Sequence, residues 1–273
     1  MDHRDVTGRL AHTHVWMDQG VLREVQYASD GNVAARQAIY AFERPRFDLP
    51  AAVIGLLGLT GAETVVDIGC GNGLYLAELA GRGHRGPVLG VDLSPGMLAA
   101  ARTRSPGAAM LSADAAALPL RPAVTDLSLA MHMLYHVPDP AQAVAELRRV
   151  TRPGGRAVIG LNAGDHLAEL RRLIHSVLVI GGHDPASLPG ERIRLDDGEV
   201  LAGAGFSSVT RHDFRGELVL TDPGVVTAYV RSLPIADPAG GQDRLAGAVA
   251  AAIPFGADGS FRVTTHAGVL VCA

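Results

Sequence analysis

The stretch that most constrains this chain is Thr64-Val65-Val66-Asp67-Ile68-Gly69-Cys70-Gly71-Asn72-Gly73-Leu74-Tyr75-Leu76. A β-branched run passes through three alternating glycines into a helical pattern, which reads as a buried strand, a tight turn and a helix. Glycines let such a turn bring bare backbone close to a ligand, and amides at the helix start can face it. Dinucleotide binders of this layout use GxGxxG, whereas the spacing here is GxGxG and the strand ends in an acid, Asp67. A carboxylate at that edge repels a pyrophosphate but accepts a hydrogen bond from an ammonium group. The turn therefore favours a ligand carrying an amino acid moiety over a nicotinamide dinucleotide.

The alternation continues over residues 63–161. Strands are predicted at Thr64–Ile68, Pro87–Asp92, Ala109–Ser112, Asp126–Met131 and Ala157–Leu161, with helices at Leu74–Gly81, Met97–Arg104 and Ala141–Val150. This is the pattern of a doubly wound α/β sheet. Two further acids follow the next strands. Asp92, in GVDLSPGML, lies about twenty residues beyond the glycine turn, where an acid can hold both hydroxyls of a ribose. Asp114, in SADAAALPL, can accept from an adenine amino group while the Ala115 amide donates to the ring. One such acid reads equally well as a helix cap. Three in order, at the carboxyl edges of successive strands, point to one adenosine-bearing ligand.

Residues 1–60 are predicted to form a helical lid, with Val33–Phe42 and Pro50–Leu57 as its clearest segments, and 61–273 the main domain, with insertions around 163–205 and 215–260. Past the core, helices are predicted at His166–Ile180, Glu199–Ala204, Gly224–Arg231 and Asp243–Ala252. Strands are predicted at Ser207–Phe214 and Leu218–Thr221, with Phe261–Cys272 a closing hairpin or long strand. The Pro/Gly-rich stretches at 181–190 and 233–242 read as loops.

Composition removes several chemistries. All 24 basic side chains are arginine, so no lysine can form a Schiff base, cradle phosphate or serve as a general base. A net charge of −4 with scattered arginines argues against nucleic acid as the main partner. Cys70 and Cys272 form no CxxC, and no histidine has convincing metal-ligand spacing, so no metal is expected. The start of the chain lacks a signal-peptide build and no run of eighteen apolar residues occurs, which predicts a cytoplasmic protein without a membrane partner.

These motifs resemble the class I S-adenosylmethionine-dependent methyltransferases, in the small-molecule group called type 11 or ubiquinone-biosynthesis-like, over residues 60–162. VVDIGCGNG is similar to their first motif, GVDLSPGML to the second, SADAAALPL to the third and LSLAMHMLYHVPDP to the fourth. The resemblance implies a Rossmann-like, doubly wound seven-stranded sheet with an antiparallel last strand, drawn from residues 206–214 and 261–272. It implies S-adenosylmethionine as cofactor and S-adenosylhomocysteine as product. Asp67 and the loop of Gly69, Cys70, Gly71 and Gly73 would hold the methionine moiety, and Asp92 the ribose. Leu93 and Met97 would flank the adenine, Asp114 and Ala115 would read its edge, and Met131 would line the sulfonium end.

On the acceptor side the fourth motif offers His132, Tyr135 and His136 as catalytic candidates, because imidazole titrates near neutrality and suits taking a proton from a hydroxyl or amine. Each reads equally as a packing residue. Tyr27, Asn32, Arg36 and Phe42 are similar to the N-terminal segment of some bacterial members, which makes Tyr27 and Arg36, with His132, candidate substrate contacts. Trp16, Tyr27, Tyr40 and Phe42 could form an aromatic lid or simply anchor the flap. The implied reaction is methyl transfer to an oxygen or nitrogen of a small molecule in bacterial secondary metabolism. An RNA or protein acceptor, cofactor binding without transfer, and a homodimeric state all stay open.

Overall fold

The strand-and-helix alternation of residues 63–161 lies within one eight-stranded sheet, seen in a computed structural model that describes residue 20 and residues 27–182, 193–233 and 241–273. Trp16 and most of the two stretches read as loops lie outside these residues. The strands are β1 (Glu43–Arg44), β2 (Val65–Ile68), β3 (Val88–Asp92), β4 (Ala109–Ser112), β5 (Thr125–Met131), β6 (Thr151–Asn162), β7 (Val209–Leu220) and β8 (Phe261–Cys272). Their order is β1-β7-β8-β6-β5-β2-β3-β4. From β6 through β4 the pairing is parallel, and β8 sits antiparallel between β6 and β7.

Several element bounds differ from the sequence reading, and two differences reshape the sheet. The eighth strand, β1, comes from the lid and pairs by two residues, Glu43 with Leu218 and Arg44 with Glu217. So short a strand has no periodicity to read. In addition, β7 runs unbroken through Gly216 because it pairs with β8 along its whole length, from Val209 opposite Cys272 to Leu220 opposite Phe261.

The helices are α1 (Gly31–Ala38), α2 (Leu49–Leu56), α3 (Leu74–Gly81), α4 (Pro95–Arg104), α5 (Pro140–Val150), α6 (Ala168–Ile180), α7 (Leu195–Gly205), α8 (Pro223–Arg231) and α9 (Gly241–Ala251). Several begin with the same local chemistry. Ser94, Asp139 and Asp222 each precede a proline, and their side chains accept from Met97 N, Gln142 N and Gly224 N. The oxygen satisfies an orphan amide while proline presets the first helical residue.

One core cluster joins β2, β5 and β6 to α5 and α7 through Val66, Ile68, Leu147, Ile159 and Leu195. A second joins the lid to the late insertions, with Ile39, Leu170, Ile174, Val226, Val230, Val249 and Val263 together. The first core leaves no room at Gly268, where an added Cβ would strike the fully buried Leu195 side chain. Gly268→Val is expected to lower stability by about 1–3 kcal/mol, the usual cost of overpacking, read as a lower urea midpoint at unchanged slope.

Candidate active site

The carboxyl ends of the parallel strands, the lid and the insertions enclose a cavity of about 1010 Å³. That matches the upper end of single-ligand pockets, roughly 300–1,000 Å³, and gives room for two molecules side by side. It extends from Asp114, past β4, to Glu43 on β1.

The glycine turn enters this cavity in a fixed shape. Gly69, Gly71 and Gly73 all have positive φ, at 69°, 53° and 82°. The Gly69 and Cys70 amides both donate to Val91 O, at 2.7 and 2.9 Å, and Gly73 N donates to Cys70 O. Gly71 N donates to Asp92 Oδ2 at 2.9 Å. These four amides are engaged within the loop, so its glycines contribute shape and a bare Cα surface more than open donors. Gly69, Cys70 and Gly71 line the cavity, whereas Gly73 caps α3 in a left-handed conformation and packs on Ala101.

Behind the turn two acids sit side by side. Asp67 is 1% exposed, and neither of its oxygens has a hydrogen-bond partner among the described residues. Burial, reinforced by the Asp92 charge, raises its carboxyl to about 7. Asp92 also titrates above its ordinary range because of burial, opposed by the Ser94 and Gly71 amides. Tyr75, on the first turn of α3, lines the same pocket and has a buried hydroxyl without a partner among the described residues. The sequence reading missed it, since an aromatic after a glycine turn looks like core. Burial and the charges of Asp67 and Asp92 push the Cys70 thiol far up, which removes it as a nucleophile. Leu93, Met97, Asp114, Ala115 and Met131 all line the cavity, with Asp114 Oδ1 accepting from Ala116 N at 2.9 Å.

The lid closes over this half. Ser94 Oγ donates to Tyr27 O at 2.6 Å, and Tyr27 Oη bonds His136 Nε2 at 2.7 Å. His136 also meets the Tyr135 ring edge-on, at 4.5 Å between centroids. Arg36 lies over the Tyr27 ring at 5.7 Å and donates to Ser232 O at 2.5 Å. The structure thus gathers Tyr27, Arg36, Tyr135 and His136 at one wall, with His136 acting as the lid's latch.

His132 directly follows β5 and Met131. Its φ of 55° is rare for a residue with a side chain, and such strain persists where surrounding contacts impose it. Its amide donates to Gly160 O at 2.9 Å. Burial lowers the imidazole to about 4, so the near-neutral titration expected from sequence does not hold. Next to it stands a second histidine, to which no motif of the sequence draws attention. His166 accepts from His266 N on Nδ1 at 3.0 Å, leaving its Nε2 hydrogen for Tyr40 Oη at 2.9 Å. Burial first, then nearby His132, lowers His166 to about 3.

The donor set fits S-adenosylmethionine. A buried carboxylate and phenol without partners, Asp67 and Tyr75, suit an ammonium. Gly71 offers a Cα with no heavy atom within 4 Å of where a side chain would stand, and Asp92 and Asp114 follow at the next two strand ends. A family model described as a methyltransferase domain matches residues 66–159. The chain is 30% identical over 229 residues to the ubiquinone biosynthesis O-methyltransferase of Methylococcus capsulatus, covering 79% of this chain and 88% of that protein. It is 39% identical over 137 residues to the trans-aconitate 2-methyltransferase of Methylobacterium nodulans, covering 50% of this chain and 51% of that protein. The chain spans about half or less of the length of some curated relatives it matches. Its fold superposes on YcgJ of Bacillus subtilis with a TM-score of 0.57 at 16% identity, over 81% of this chain and 96% of that one. The chain belongs to the class I S-adenosylmethionine-dependent methyltransferases.

Asp67 yields a signed prediction. Its carboxyl holds a proton up to about 7 in the fold against an ordinary 3.8, so between those values the folded state binds more protons and stability falls as pH rises. Relative to wild type, ligand-free Asp67→Asn should gain about 2–4 kcal/mol between pH 4 and pH 8, checked by urea unfolding across that range. Its affinity for S-adenosylhomocysteine should drop over the same range.

Proposed function

We propose that this enzyme moves the methyl group of S-adenosylmethionine to an oxygen or nitrogen of a small molecule, in bacterial secondary metabolism and in the cytoplasm. The observation that carries the reading is the single cavity. Its one half is lined by Asp67, Asp92 and Asp114, its other half by His166, Tyr40 and Tyr229, and Met131 and His132 lie between. Enclosure by the lid and insertions suits a small acceptor better than a macromolecular surface. Among the described residues no helix is long and apolar enough to cross a membrane.

When bound, the cofactor would supply a methyl group on a sulfonium, from which a neutral thioether is a good leaving group, so the chain's task is alignment and exclusion of water. Asp67 and Tyr75 would hold the amino acid end, with the ribose on Asp92 and the adenine beside Leu93, Met97, Asp114 and Ala115. Met131 would border the reacting end. His132 stays a neutral imidazole at physiological pH, so its role is to accept a hydrogen bond from the incoming nucleophile and aim a lone pair. Tyr135 and His136 contribute by holding the lid shut, and Tyr27 and Arg36 by forming its inner face.

Incubation with isotope-labelled S-adenosylmethionine and fractionated extract, followed by mass analysis, tests the reading. A small molecule should gain the label; label in RNA or protein, or in nothing, would overturn it. His132→Ala should leave S-adenosylhomocysteine affinity within about twofold and lower kcat by about 10²-fold. The wild-type kcat profile should show no ionisation of His132 between pH 6 and 8.

A further inference from the structure

The cavity is lined by one buried acid that the methyl-transfer reading leaves unused. Glu43, on the lid strand β1, is 8% exposed and lines the cavity. Its side chain crosses β7 to reach β8, where Thr265 Oγ1 donates to Glu43 Oε1. The path exists because Gly216 of β7 has no side chain: a Cβ there would stand 2.8 Å from Glu43 Oε1 and 2.9 Å from Thr265 Oγ1. Glu43 makes no ion pair among the described residues, and burial raises its carboxyl above the ordinary range.

A buried carboxylate without a cation is costly, and a bound cation relieves that cost. The chain's own cations on this wall are engaged elsewhere or stand at the rim. Arg36 donates to Ser232 O, Arg171 donates to His166 O, and Arg46 is exposed. The neighbouring wall is apolar, with Leu167, Ile174 and Phe214. Thr265 lies on β8, two strands from β5 and four residues along β8 from Val269, which Gly160 links in register to Met131, so the carboxylate is on the order of 15 Å from the end of β5.

We propose, resting on the methyl-transfer reading, that Glu43 is the anchor for a protonated amine of the acceptor, which is an amphiphile with an apolar body between that ammonium and the atom methylated near His132. An ammonium has no lone pair, so the group held by Glu43 is not the nucleophile. The acceptor class is therefore an amine-bearing molecule methylated at a second, distant heteroatom.

The test is calorimetric titration of the protein saturated with S-adenosylhomocysteine, using n-octylamine, 1-octanol and octanoate as probes of one length and three charges. Octylamine should bind about tenfold tighter than octanol, as a charge-assisted contact does over a neutral one, and octanoate weakest. Glu43→Gln keeps the acceptor for Thr265 and should erase the amine preference, while Thr265→Val should retain it. Octylamine binding no better than octanol in the wild-type protein, or a preference that survives Glu43→Gln, would overturn the proposal and leave Glu43 as a tie for β1. The wild-type ranking needs no variant to fold. Absence of S-adenosylhomocysteine binding in the same titration would instead fault the methyl-transfer reading itself.

Discussion

The end of β3 clamps the glycine turn, and the rest of the site is built outward from that clamp. Val91 O takes two amides, those of Gly69 and Cys70, and the next residue's carboxylate takes a third, from Gly71. This bends the chain sharply enough to start α3 at Leu74 and brings Asp67 and Asp92 together in a buried place. Burial raises both carboxyls, and the charge of Asp92 adds to the rise at Asp67. The protein carries that cost in its own fold, and a cationic ligand is the natural relief. On the proposed reading, cofactor affinity and intrinsic stability would be set by the same pair of side chains.

The second half of the cavity rests on a different principle. Its histidines are neutral: His132 and His166 are desolvated below titration near neutrality, and His166 is fixed in one tautomer by a backbone amide. Beneath them His266 lies between Asp165 at 2.5 Å and Asp213 at 2.6 Å, which holds the β8 backbone that faces the acceptor. A site of this kind guides a nucleophile by shape and hydrogen bonding, consistent with chemistry whose leaving group needs no help.

The strand ends and the glycine turn that line the first half of the cavity were largely legible in the sequence. Strand-ending acids and a glycine turn are local signals, and Leu74–Gly81 is the helix that the pattern predicts. Helices α4, α5 and α8 start one or two residues earlier than predicted, at the proline after each cap, and α7 starts four residues earlier. The acceptor half was far less legible. Tyr40, His166 and Glu43 meet there through pairings between residues more than a hundred positions apart, such as Glu43 with Thr265, and no local period encodes them. The backbone strain at His132 and the titration of its ring likewise depend on burial, which sequence does not report. Gly216 shows the same limit: it reads as a strand breaker but serves as a gap through which a side chain passes.

The second core cluster has a mechanical consequence. Ile39, at the foot of the lid, is 0% exposed and packs with α6, α8 and α9, so withdrawing it costs about 1.5–3 kcal/mol. The stretch from Tyr27 to Ala38 is held differently, by the Tyr27–His136 and Arg36–Ser232 bonds and by Asn72 to Gln37, each worth about 1 kcal/mol net. Summed with the Ser94–Tyr27 bond, these hold the outer segment about as firmly as burial holds Ile39, so this part of the chain is fixed at both ends by unlike means: by hydrogen bonds that water can replace over one half of the cavity, and by apolar burial that water cannot replace over the other.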